Sequence, residues 1–188
     1  MPHGINIVSN LLSIWDVIDP IYFHFTRLEY IQNNQGKRTL MRVRLTKYKG
    51  RDLILSDGTI IKRNDLLIKI HLHNVKLLKK IQKYESELRR ALFTFKNVQE
   101  SLPYIADYLQ KQHYSQQIKG IIGVTTLHKG SEKLGFEVFT LKSKCYKWYK
   151  QSALLPIYYL SVHDRNKGIP TPVYLVMSND NLLKKYKR

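Results

Sequence analysis

The stretch TLMRVRLTKYKGRDLILSDGTIIKRNDLLIKIHLHN, Thr39 to Asn74, decides the fold. Between Thr39 and Lys47 polar and apolar residues alternate, Met41, Val43 and Leu45 against Arg42, Arg44 and Thr46. A period of two is that of a half-buried strand, here with a basic outer face. Asp57-Gly58-Thr59 separates the apolar runs Leu53 to Leu55 and Thr59 to Ile61. Asp-Gly in that setting predicts a tight hairpin, because glycine takes the positive φ of the turn without steric cost. Leu66 to Leu72 predicts another strand. Asn74 reads as the N-cap of a long helix with Leu77, Leu78, Ile81, Tyr84, Leu88, Leu92 and Phe95 on one stripe.

Working outward, the apolar residues of Ile5 to Phe25 recur at three- and four-residue steps and predict a helix kinked at Pro20, and Gln32 to Lys37 predicts a loop. Downstream, the long helix is expected to give way at Ser101-Leu102-Pro103, with a second amphipathic segment from Tyr104 to Tyr114. Ile118 to Leu127 and Phe136 to Leu141 predict strands flanking a short helix, a compact β-helix-β unit. Cys145 to Val162 predicts a Tyr-rich helix interrupted at Pro156. A loop from Asp164 to Pro172, a strand from Val173 to Met177 and a short basic helix from Asn181 complete the reading. The fold class is α+β, a single domain over residues 1–188 with a mixed or antiparallel central sheet covered by long amphipathic helices.

Composition bounds the function classes. Lys and Arg number 32 against 14 Asp and Glu, a formal net charge of +18. Such an excess exceeds what solubility requires and attracts phosphate- or carboxylate-bearing partners. Cys145 is the one cysteine, which excludes an intramolecular disulfide and a paired-Cys zinc site, and fits a reducing compartment. Met-Pro-His-Gly lacks the basic start of a signal peptide. The apolar stretch Ile5 to Phe25 is broken by Asp16, Asp19 and Pro20, so a buried or interfacial helix is expected there and no transmembrane segment. The expected location is cytoplasmic, at most peripheral to a membrane.

Four stretches, DVIDPIY (Asp16 to Tyr22), YKGRDLILSDGTIIKRNDLLIKIHLHN (Tyr48 to Asn74), GVTTLHKGSEKLGFEVF (Gly123 to Phe139) and VYLVMSNDNLLKKY (Val173 to Tyr186), together resemble the YkoP-like domain family. That family occurs as free-standing bacterial proteins and as a C-terminal extension of some polysaccharide deacetylases. The resemblance implies a link to cell-envelope polysaccharide metabolism. It brings no active-site residues with it.

Three features of the residues themselves can carry chemistry. His71 and His73 fall on the same side of a strand and can supply two metal ligands, or a base and a phosphate donor. A metal needs a third ligand, with Asp65, His128 and His163 as the choices, and the alternative is a plain histidine pair beside a helix cap. Thr125, Thr126, His128, Lys129 and Ser131 sit at a predicted strand-to-helix junction. Free backbone N–H groups at a helix start make such a turn a seat for an anion, or simply a cap.

The third feature is the basic run from Lys37 to Arg51, in which Arg42, Arg44 and Lys47 can fork onto phosphate or carboxylate oxygens. Asp16 with Asp19 reads as helix-end hydrogen bonding before paired carboxylates. Trp148 with Tyr146, Tyr149, Tyr158 and Tyr159 forms either core or a stacking platform. No residue pattern names a cofactor.

The leading expectation is therefore an accessory or binding module for an anionic polymer, an anionic membrane surface or an acidic protein. The alternative is an enzyme acting on phosphorylated or acidic saccharides through His71, His73 and His128. A nucleic-acid-binding protein comes third, because no zinc finger, RNP motif or helix-turn-helix is present.

Overall fold

The computed structural model describes residues 24, 26–151 and 170–187. The predicted helix from Ile5 to Phe25, with Asp16, Asp19 and Pro20, and the segment carrying Pro156, Tyr158, Tyr159 and His163 lie outside the described residues but for His24. The fold is α+β. Six strands form one mixed sheet in the order β1 (Glu29–Gln32), β2 (Arg38–Lys47), β5 (Leu66–Leu72), β6 (Ile118–Thr125), β8 (Val173–Ser178) and β7 (Glu137–Thr140). β3 (Leu53–Ile54) and β4 (Ile60–Ile61) form a separate two-stranded hairpin. All sheet pairs are antiparallel except β5 with β6. That parallel pair is joined by a helical crossover, which parallel strands require.

Among the described residues the helices are α1 (Asn74–Ile81), α2 (Glu87–Gln110), α3 (described over 144–151) and α4 (Asn179–Tyr186). Among the described residues α2 is a long helix, with 24 residues; α1 and α4 have 8 each. One sheet face carries Met41, Val43, Ile68, Ile70, Ile121 and Met177, which pack with Leu102, Ile105, Ala106 and Leu109 of α2 into the main core. On the other face the hairpin lays Leu55 and Ile61 over Leu67, Ile122 and Val176.

The hairpin follows from its sequence. Gly58 takes φ 85°, Leu55 N–H donates to Thr59 O at 3.0 Å, and Asp57 Oδ1 accepts from Thr59 N at 2.9 Å. Two side chains fasten it to the sheet. Glu137 of β7 accepts from Ser56 N–H at 3.0 Å and from its Oγ at 2.9 Å, while Ser178 Oγ at the end of β8 donates to Asp57.

Three expectations are corrected. The long helix from Asn74 is two helices, parted at residues 82–86, and the N-cap is His73. Leu77, Leu78 and Ile81 are buried, but Leu88 and Leu92 of the supposed same stripe are 67% and 56% exposed, so a continuous stripe does not exist. Pro103 ends nothing: it lies inside α2. Loss of its helical hydrogen bond costs about 3 kcal/mol, whereas Leu102 and Ile105, both fully buried, contribute about 1.5–3 kcal/mol each by burial, so packing prevails. Finally, the short helix expected between β6 and β7 is not an α-helix. β8 pairs with both and lies between them, and the link is a four-residue 3₁₀ turn, Ser131–Leu134.

Candidate anion-binding site

The antiparallel register of β2 and β5 sets Arg42 opposite His71, Arg44 opposite Lys69 and Thr46 opposite Leu67. Directly paired residues share a face, so these basic side chains all project on the hairpin side of the sheet. The basic face of β2 is not an exposed outer face, as the alternation suggested. Arg42 is 2% exposed; its Nη2 donates to Tyr30 Oη at 2.6 Å, and its guanidinium lies 4.7 Å from the Tyr30 ring centre. Arg38 and Lys76 also approach that ring, at 4.6 and 5.3 Å, and the His73 ring is tilted against it at 5.9 Å. Arg42 and His73 thus belong to a packed cluster around Tyr30, held by cation–π attraction.

Arg44 is half-buried and gives one N–H to Thr26 O at 3.3 Å. Its neighbour Lys69 is half-buried too, with no carboxylate partner among the described residues. Burial first, then the charges of Lys150 and Arg44, bring the Lys69 ammonium down from 10.5 to about 8. Lys150 comes from α3. It is pushed below its ordinary value by burial and by Arg44, and rests 5.6 Å from the Tyr146 ring centre. Ser143 begins that helix, its Oγ accepting from Tyr146 N–H at 3.3 Å. Tyr146 stacks on Tyr174 of β8, 6.3 Å apart at 24°, which ties α3 to the sheet face.

Sheet, hairpin and α3 enclose a cavity of about 880 Å³. Arg44 and Lys69 form its floor. Lys47, Lys49, Arg51, Arg63 and Lys142, all exposed, form its rim. Asp52 is the one carboxylate among the described lining residues, and Tyr48, Phe139, Tyr146 and Tyr174 supply an aromatic wall. The volume falls in the range of small-molecule sites.

His71 lies on the same face as this cluster but is poorly suited to proton transfer near neutrality. Burial, followed by the charges of Lys69, Arg44, Lys150 and Arg42, lowers it to about 3, so the imidazole is neutral. His128 is in the turn after β6, where its backbone O accepts from Ser131 Oγ at 2.7 Å. No group of three His, Cys, Asp or Glu side chains able to hold a metal occurs among the described residues, so His71, His73 and His128 do not converge as a metal site.

The turn from Thr125 to Ser131 lies elsewhere. Thr125 pairs with Val173, whose side chain is in the main core, and so points to the face opposite Arg44 and Lys69. Thr125 Oγ1 accepts from Leu127 N–H, Ser131 Oγ is used on His128 O, and Lys129 is exposed. The helix expected here is the four-residue 3₁₀ turn, too short to present a helix-start charge. Of the proposed anion-binding residues, Arg44 and Lys47 line the cavity, Arg42 is packed beside it, and Thr125, Thr126, Lys129 and Ser131 are not among its described lining.

Sequence reasoning missed Lys69 and Lys150. Lys69 had a visible signal, as the one charged residue inside the apolar strand LLIKIHL. Lys150 had none, because only the tertiary stacking of Tyr146 on Tyr174 brings α3 to the site.

Residues 9–186 match the YkoP domain family. The chain belongs to the YkoP domain family. A YkoP-family relative, the "Uncharacterized protein YkoP" of Bacillus subtilis (strain 168), is 46% identical over 178 residues, covering 94% of this chain and 96% of the relative. No solved structure matches. Identity of this extent over nearly the whole of both chains places the sheet, the hairpin and α3 within the shared YkoP domain. Among the described residues, no helix is long and apolar enough to cross a membrane.

Proposed function

We propose that this YkoP-family protein is an anion-binding module whose ligand enters the cavity between the sheet, the hairpin and α3. The observation that carries this reading is Lys69: a half-buried ammonium beside Arg44 and Lys150, with no carboxylate partner among the described residues. Gathering cations away from water is unfavourable unless something compensates. A phosphate or carboxylate on the cavity floor would receive charge-assisted hydrogen bonds from Arg44 and Lys69 and relieve their mutual repulsion. The exposed rim cations would draw such a ligand in, with salt-dependent strength.

Calorimetric titration of the purified full chain tests this, with inorganic phosphate, an acidic wall-polymer fragment, anionic liposomes and duplex DNA as probes at low and moderate salt. Lys69→Met and Arg44→Gln run in parallel. Binding that is lost in both variants supports the cavity. Binding to every probe that is unchanged in both variants and erased by salt would assign the affinity to the exposed rim charge and overturn the reading.

A further inference from the structure

The cavity is not chemically uniform. Its floor is cationic, whereas one wall is aromatic: Tyr174 from β8 touches Tyr146 on one side, stacked at 6.3 Å, and Tyr48 on the other, edge-on at 6.2 Å. Phe139 pairs with Tyr174 across the β7–β8 ladder and continues the wall. Tyr146 and Tyr174 are half-buried and both line the cavity. An anion alone has no use for such a wall.

The polar part of the lining narrows the ring that would use it. Planar amide and carboxylate side chains are common partners for the hydroxyls of a saturated sugar. Yet no Asn, Gln or Glu is among the described lining residues, and Asp52, itself exposed, is the sole carboxylate there. Thr46, Thr140 and Ser143 are the remaining side-chain hydroxyls beside the tyrosines. What the wall offers is π surface, on which a flat aromatic ring stacks.

We infer that the ligand is a phosphate ester of a flat aromatic ring system, such as a nucleotide, with its phosphate on Arg44 and Lys69 and its ring against Tyr146 and Tyr174. The inference rests on the anion-binding reading above and specifies the other half of the ligand. A cavity of about 880 Å³ has room for both parts at once.

Calorimetric titration of the full chain with inorganic phosphate, ribose 5-phosphate and adenosine monophosphate separates the two halves. The nucleotide is expected to bind about tenfold tighter than ribose 5-phosphate, within the range that base–aromatic stacking contributes. Tyr146→Leu should erase that advantage, and Tyr146→Phe should keep it. Equal binding of the nucleotide and the sugar phosphate by the unaltered chain would overturn the ring inference and leave anion binding standing. No binding of any of the three would overturn both. Since the wild-type comparison decides by itself, misfolding of a variant does not blunt the test.

Discussion

Lys69 stands directly across the β2–β5 ladder from Arg44, two cations in register on a half-buried face. Like charges directly opposite in a sheet are destabilising. Here the pair is further loaded by Lys150 from α3. The arrangement costs stability in the free protein, and its expected return is affinity for an anion.

Replacing Lys69 by Met keeps the apolar stem and removes the charge. At neutral pH the folded protein is expected to gain on the order of 1–3 kcal/mol and to lose phosphate binding. The sign has a pH signature. The Lys69 ammonium lies near 8 in the folded state and 10.5 otherwise, so between those values the unfolded chain holds the extra proton and stability rises with pH. Urea denaturation of wild type across that window should show the rise, and Lys69→Met should flatten it.

Anion affinity runs the other way. Below pH 8 Lys69 is protonated and can donate to the ligand; as pH climbs through about 8 the free protein loses that charge and binding must take up a proton. Phosphate titrations should weaken across this range, beyond the change in Arg44→Gln that simple loss of one donor produces. A flat profile would remove Lys69 from the site.

His71 makes a separate prediction at low pH. It is held neutral to about 3, against 6.5 in an open chain, by burial and by Lys69, Arg44, Lys150 and Arg42 around it. On acidification from 6.5 toward 3 the unfolded chain takes up a proton that the folded one refuses, and stability falls by up to about 1.4 kcal/mol per pH unit. His71→Gln, neutral throughout, should lessen that slope in thermal melts between these pH values, whatever its effect on the absolute Tm.

Much of this was legible in the residues, and the reasons for the rest are specific. Alternation in β2, the Asp-Gly turn and the helical spacing of apolar residues are local signals, and the α+β class follows from them together. Arg44 and Lys47 could be singled out by charge density, but the basic run could not show that Arg42 would be covered by Tyr30, which arrives from another strand. The break before α2 carries no Gly or Pro, and Pro103 is retained because neighbouring burial outweighs its cost. Lys69 becomes a site residue only through long-range pairing. Its meaning lies in what stands opposite, and sequence adjacency does not contain that.

The hairpin is expected to control the cavity through its two fastenings. It supplies Leu53 and Ile54 to the lining, and its tip is held by Ser178 on Asp57 and by Glu137 on Ser56. Burial works to raise the Asp57 carboxyl, but the hydrogen bonds from Ser178 and Thr59 outweigh it and hold it below its ordinary 3.8. Ser178 also caps α4, accepting from Asn181 N–H at 3.0 Å, so Ser178→Ala removes two hydrogen bonds and should cost about 1–3 kcal/mol. Glu137→Ala removes only the Ser56 fastening. It should cost less, yet raise hydrogen exchange at Leu55 and Gly58 N–H, whose bonds close the turn. If the hairpin walls the ligand, Glu137→Ala should also speed ligand release with little change in the overall unfolding midpoint. Unchanged exchange at both amides would show that the apolar contacts of Leu55 and Ile61 suffice to hold it.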